Sequence, residues 1–255
     1  MKMLFWPLIL LLSLSGCQET PALTFSSEEF TEADLDICKT EACSSVTIDF
    51  PKANGEAFIS EKINSAINNY IIKALFLGDD DQPRATSITE AAKDFILAYR
   101  DHQPDIPTDI DHGGYEAEVS LYPSFQTEQL ISLEASFYLF TGGAHGYGGT
   151  SFLNFDPETG EEIKFQDLVV NTTDFKDFVE GKFREAHNIP FNENINTTGF
   201  MFENDTFILP ETIGFENKLV VFIYNAYEIA SYADGPIILE IPLTEVQPFL
   251  DTTLL

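Results

Sequence analysis

Few residues in this chain are of the types that do chemistry: three cysteines and four histidines among 255 residues. The first cysteine closes the segment Leu14-Ser15-Gly16-Cys17, in which small residues directly precede a thiol. That arrangement suits thioether lipidation of Cys17, cleavage before it and acylation of the freed amine. Several acyl chains on one residue anchor stably, where a single chain binds reversibly. The preceding residues fit this reading. Lys2 supplies a positive start, and Leu4 to Leu12 form an apolar run broken only by Pro7. The run is about half of the roughly 20 residues that a spanning helix needs, so residues 1–16 read as a signal peptide. The expectation is an exported protein, lipid-anchored to a bacterial membrane on its periplasmic or cell-surface face.

Cys38 and Cys43 remain. Export places them in an oxidising compartment, where such a pair reads as a disulfide across a short turn. A metal site needs further His or Cys partners, and none lies near. No histidine sits in an H-E-x-x-H spacing. His102 and His112 fall in the polar connection 101–114 and read as solvated. His145 differs, because the loop Thr141-Gly142-Gly143-Ala144-His145-Gly146-Tyr147-Gly148-Gly149 flanks it with glycines between two strands. Glycines there permit positive φ and close approach of backbone or ligand. The loop lacks a Lys and a following helix, and fits neither G-x-G-x-x-G nor the Walker pattern, so nucleotide binding is excluded. It is either a recognition surface or a turn whose His bonds the backbone.

No G-x-S-x-G occurs to support Ser-His-acid chemistry. Paired carboxylates suit glycosidase chemistry, but among 42 acids such pairs carry no information. The expectation is a protein without catalytic residues, cofactor or metal. A second cluster stands near the C-terminus, where Tyr224, Tyr227 and Tyr232 surround Asn225, Glu228 and Asp234 and end at Gly235-Pro236. Tyrosine is common at recognition sites because it brings area and a polar tip at low entropy cost; the alternative is that these rings pack under a wide loop. The candidate binding residues are Gly142, Gly143, His145, Tyr147, Tyr224, Tyr227, Tyr232 and Asp234.

Charge narrows the partners. With 42 acids against 13 bases the formal charge is −29. Nucleic acid and anionic membrane surfaces are poor partners for such a surface. A basic protein would be attracted, at rates that fall as salt rises. A generally acidic surface without a dedicated partner is the alternative.

The elements that must position these residues follow from periodicity. Residues 18–36 read as an acidic tether. Val46, Ile48 and Phe50 alternate as a strand that Pro51 is expected to end. Ile59, Ile63, Ala66, Ile67, Tyr70, Ile71, Ala74 and Leu75 form one helical stripe, stopped by Gly78-Asp79-Asp80-Asp81. A second helix opens at Ser87 with a capping box to Glu90 and carries Ile88, Ala92, Phe95, Ile96 and Tyr99. Tyr115 to Leu121 and Ile131 to Leu139 alternate as strands, with polar faces implying a sheet wetted on one side. Strand 151–155, a turn at Asp156–Gly160, helix 165–188, an Asn-rich loop 190–204, a hairpin 207–224, strand 237–241 and a closing helix 243–250 complete the chain. This order predicts an α+β fold with antiparallel sheets and packed helices.

These residues also resemble a known family. Phe137-Tyr138-x-x-Thr141-Gly142-Gly143-Ala144-His145-Gly146, Phe152-Leu153-Asn154-Phe155-Asp156 and Thr159-Gly160 are similar to the RsiV-like C-terminal domain family. So is Tyr224-Asn225-Ala226-Tyr227-Glu228-Ile229-Ala230-Ser231-Tyr232-Ala233-Asp234-Gly235. That family typically carries Pro where this chain has Ala226 or Ser231, a departure that loosens the loop. The segment from about Cys38 to Leu121 resembles the companion domain of the deacetylase PdaC type. The implied division is a PdaC-type domain over 38–112, reaching as far as about 145, and an RsiV-like domain over 113–255. In that family the domain is the extracellular part of an anti-sigma factor that senses lysozyme by binding it, or a non-catalytic module beside peptidoglycan deacetylases. The resemblance implies a cell-envelope binding protein with lysozyme or another basic protein as partner. A peptidoglycan- or glycan-binding module is the first alternative, and a cell-wall enzyme of unrecognised type the second.

Overall fold

The structure is a computed structural model that describes residues 23–78, 82–102 and 114–251. Cys17, the signal segment and His112 lie outside the described residues. The fold is α+β, with two sheets and a core on each.

The first sheet has the order β1-β2-β3-β4-β5, from β1 (Thr24–Thr31), β2 (Ser45–Asn54), β3 (Glu116–Gln126), β4 (Ile131–Phe140) and β5 (Tyr147–Phe155). Strand β1 corrects the expected tether: residues 24–31 pair antiparallel with β2 along their whole length. They bury little, so the strand rests on ladder hydrogen bonds rather than on an apolar face. Pro51 does not end β2. Pairing of β2 with β3 stops at Asp49↔Ser120, and beyond it β2 has β1 alone, the edge-like setting in which a strand tolerates Pro.

Strands β2 and β3 run parallel, an exception to the expected antiparallel order. Parallel neighbours require a crossover, and α1 (Ala57–Ala74) and α2 (Ile88–His102) lie in it. The predicted stripe of α1 is the buried one: Ile63, Ile67, Ile71 and, just past the end, Leu75 sit under the sheet with Ala92, Phe95 and Ile96 of α2. The α2 cap differs in one arm from the expected box. Ser87 Oγ accepts from the Glu90 N–H at 3.2 Å, but the Glu90 carboxylate takes the N–H and hydroxyl of Thr86, both at 2.8 Å. His102 ends α2 and meets the Tyr115 hydroxyl at 2.8 Å rather than water alone.

The Cys38–Cys43 disulfide forms, with a Cα–Cα distance of 5.5 Å. Arg100 at the end of α2 pins this turn, donating to the Ile37 carbonyl at 3.2 Å and pairing with Glu41 at 3.1 Å.

The second sheet, β6-β7-β8, comprises β6 (Thr212–Glu216), β7 (Leu219–Tyr224) and β8 (Ile237–Pro242). Helix α3 (Thr172–Ala186) covers it, burying Phe175, Val179 and Phe183 as the periodicity predicts, and the short α4 (Leu243–Val246) follows β8.

The two sheets meet face to edge, which covers one end of the polar face of the first sheet and leaves it wetted, as expected, at Glu118, Tyr122 and Tyr138. Ser132 is on the polar face of β4 yet fully buried; its Oγ accepts from the Phe215 N–H of β6 at 3.3 Å. Ser124 of β3 donates to the Phe215 carbonyl at 2.7 Å. Gly214 lies beneath the Phe152 ring, where a Cβ would come within 1.9 Å. Strands β3, β4 and β5 therefore belong to the first sheet although they carry part of the motif assigned to the second domain.

Candidate functional site

The glycine-rich loop connects β4 to β5, and it is shorter than expected. Tyr147, Gly148 and Gly149 are already strand, paired with Leu139, Tyr138 and Phe137. A Cβ on Gly148 would stand 2.6 Å from the Phe137 carbonyl oxygen, so this glycine serves close strand approach. Gly142 and Gly143 carry the turn itself, with φ of +94° and +91° and open space where a Cβ would point.

The second loop follows β7. Tyr224 ends that strand and is 1 % exposed, with its hydroxyl donating to the Ile208 carbonyl at 2.5 Å; burial raises its pKa. It belongs to the core, which removes it from the candidate contacts. The unbroken apolar run Leu219–Tyr224 was the available signal, since such runs mark strands buried on both faces.

Asn225 comes next, and its role was not apparent in the sequence. Its Oδ1 accepts from the Thr150 N–H at 2.8 Å and its Nδ2 donates to the Thr150 carbonyl at 3.0 Å. One side-chain amide thus occupies the outer edge of β5 as a neighbouring strand would. The Thr212 hydroxyl adds a second bond to the same carbonyl at 3.2 Å. Glu228 returns its N–H to the Asn225 carbonyl at 3.0 Å, and burial raises the pKa of its carboxyl.

Fastened in this way, the two loops bring three rings into a row. Tyr232 stacks on His145 with centroids 3.9 Å apart and planes 19° from parallel. Tyr227 follows Tyr232 at 5.6 Å. The buried Gly146 carbonyl accepts from the Tyr232 hydroxyl at 3.0 Å and contacts His145 Nδ1 at 2.9 Å. A carbonyl only accepts, so Nδ1 carries a proton. His145 therefore bonds the backbone and also stands on the surface. Tyr227 is 60 % exposed and takes φ +74°, a strained setting for a non-glycine residue. Tyr147 is exposed beside Phe137 at 5.6 Å.

Asp234 does not join the row. Its Oδ2 accepts from the N–H and hydroxyl of Ser231 at 3.1 and 2.6 Å. Ser231 so ties the turn that a Pro, without an N–H, could not tie in this way. Among the described residues, no three His, Cys, Asp or Glu side chains gather as metal ligands. The surface offers the exposed Tyr227 and His145 side chains beside the Glu228 and Asp234 carboxylates.

Residues 37–147 match the family model described as Deacetylase PdaC, and residues 166–244 match that of a protein of unknown function, DUF3298. The chain carries a PdaC-type domain followed by a DUF3298 domain. A solved DUF3298 family structure from Bacteroides fragilis NCTC 9343 has a TM-score of 0.68 at 22% identity, covering 91% of this chain and 95% of its own. Another, from Pseudomonas aeruginosa PAO1, has a TM-score of 0.57 at 16% identity, covering 92% and 96%. No curated protein matches the chain. These domain types point to a protein of the cell envelope. His145 lies near the end of the PdaC match, and Tyr227 and Tyr232 lie within the DUF3298 match. The ring row is built from both domains.

Proposed function

We propose that this chain is an exported, Cys17-lipidated binding protein of the cell envelope that captures a basic protein of the lysozyme type and acts without catalysis. The observation that carries this reading is the ring row Tyr227–Tyr232–His145, exposed at Tyr227 and His145 and half-buried at Tyr232, assembled from two loops far apart in sequence and flanked by Glu228 and Asp234. Aromatic rings held rigid by their surroundings make low-entropy anchors for a protein partner. A net charge of −29 favours encounter with a cationic one. The family resemblance to lysozyme-sensing domains supports the same partner.

The test is calorimetric titration of the chain from residue 18 with a basic lysozyme at low and high salt, together with a lysis assay. The expected result is binding that weakens with salt and slows lysis, reduced about tenfold or more by Tyr227→Ala. Absence of binding at both salts refutes the reading. A second reading is a cell-wall glycan laid on Tyr227, the 60 % exposed ring at the end of the row. Sedimentation with purified sacculi, insensitive to salt, would select it.

A further inference from the structure

The row does not account for a second feature beside it. The core face of β4 runs Ile131, Leu133, Ala135, Phe137, Leu139; the first three are fully buried, and the last two are only partly covered. Cover fails there because α1 ends. Tyr70, Lys73, Ala74 and Leu77, one helical stripe in spacing, form one wall of a groove of about 530 Å³, and Phe137, Leu139 and Tyr147 form part of the other. That volume lies within the roughly 300–1,000 Å³ usual for ligand sites.

Charge sets this groove apart. Three other grooves each include carboxylates: Asp94 and Asp101 with Arg84, Glu28 with Lys52, and Glu162 and Glu211 with Lys164. Among the described residues, the groove beside α1 has Lys73 and His145 and no acid in its lining. An apolar trough whose described lining carries the Lys73 ammonium and no carboxylate complements a molecule with an apolar body and one negative charge. We infer that this groove is a site for a small amphipathic carboxylate, its apolar body between α1 and β4 and its carboxylate on the Lys73 ammonium. Lys73 also lies in the last turn of α1, where a cation complements the helix carbonyls; binding measurements separate that role from this one. The inference does not rest on capture of a basic protein.

The experiment is calorimetry on the chain from residue 18, which retains every described residue, with decanoate below its micellar range and with decanol as the uncharged control. Decanoate is expected to bind more tightly than decanol. Lys73→Gln is expected to weaken decanoate about tenfold, the scale of one charge-assisted hydrogen bond, and to leave decanol unchanged. Ala74→Phe, with the fold checked by circular dichroism, fills the groove and is expected to abolish both. No decanoate binding, equal affinity for the two probes, indifference to Lys73→Gln, or survival of binding in Ala74→Phe each overturns the inference. Lysozyme titration of the same variants reports on the ring row, which shares only His145 with the described lining of the groove.

Discussion

Replacing Asn225 by Ala tests whether one amide fastens the two domains at the site. The substitution deletes two hydrogen bonds, of 2.8 and 3.0 Å, to the Thr150 backbone. Each is worth about 1 kcal/mol net, and a stranded partner costs more where water cannot replace the lost group. The Thr150 carbonyl keeps the Thr212 hydroxyl, so the stranded group is the Thr150 N–H. Thr150 is half-buried, which lets water recover part of the loss. The sum is a destabilisation of about 2–3 kcal/mol, read as a lowered urea midpoint at unchanged slope. Asn225→Asp sharpens the test. At neutral pH it retains an acceptor for the N–H but sets a carboxylate against the carbonyl, and should cost as much as Ala. Below about pH 4 its acid regains a proton, and with it the missing donor, so part of the stability should return. A loss under about 0.5 kcal/mol for Asn225→Ala, the size of an ordinary surface change, would refute the clamp.

Three further outcomes follow from the same structure. Tyr227→Gly should weaken partner binding about tenfold or more while leaving the fold as stable or about 1 kcal/mol more so, since glycine relieves the left-handed backbone; thermal melts and titration of one sample check both. Gly148→Ala should cost about 2–3 kcal/mol because its Cβ meets the Phe137 backbone oxygen, whereas Gly143→Ala meets nothing and should cost about 1 kcal/mol of backbone strain alone; equal costs would contradict the assignment of one glycine to strand approach and the other to the turn. His187 packs against Phe183 and Phe200 with Nε2 buried and unpartnered, and burial lowers its pKa from 6.5. The unfolded ring takes up its proton first, so its contribution is present above pH 6.5 and is lost as pH falls through the lower folded value. His187→Phe should therefore lessen the drop in urea midpoint between pH 7.5 and 5.5, and an unchanged drop would exclude this histidine as its source.

The elements were legible where burial imposes a period. Ile63, Ile67 and Ile71 recur every four residues because one face of α1 meets the sheet. Ala117, Val119 and Leu121 alternate because one face of β3 meets the helices. Strand β1 was not legible, because eight paired residues with mostly exposed side chains leave no period. Its stability lies in hydrogen bonds to residues 16 to 30 positions away, and no local pattern records them. The same division runs through the site. The glycines, His145 and the tyrosines could be singled out by type, yet their stacking depends on where β5 and β7 end. Tyr224 and Tyr227 are three residues apart and chemically alike; the first fills the core and the second stands on the surface, a difference fixed by the last register pair of β7, Tyr224↔Ile237.

That dependence bears on how such a site would work. The rings are not carried by one rigid element. His145 is set by the PdaC-type sheet, Tyr232 and Tyr227 by the DUF3298 loop, and the Gly146 carbonyl and the Asn225 amide hold the two in register. A partner lying across all three rings therefore gains full contact only when both domains are docked. Its binding must stabilise the docked arrangement by the same free energy that docking contributes to its affinity. If so, ligand should protect the Thr150 amide from hydrogen exchange although that amide touches no partner, and Asn225→Ala should lower affinity and protection together. Lower affinity with full protection would place the effect of Asn225 on the ring surface itself rather than on the joint between the domains.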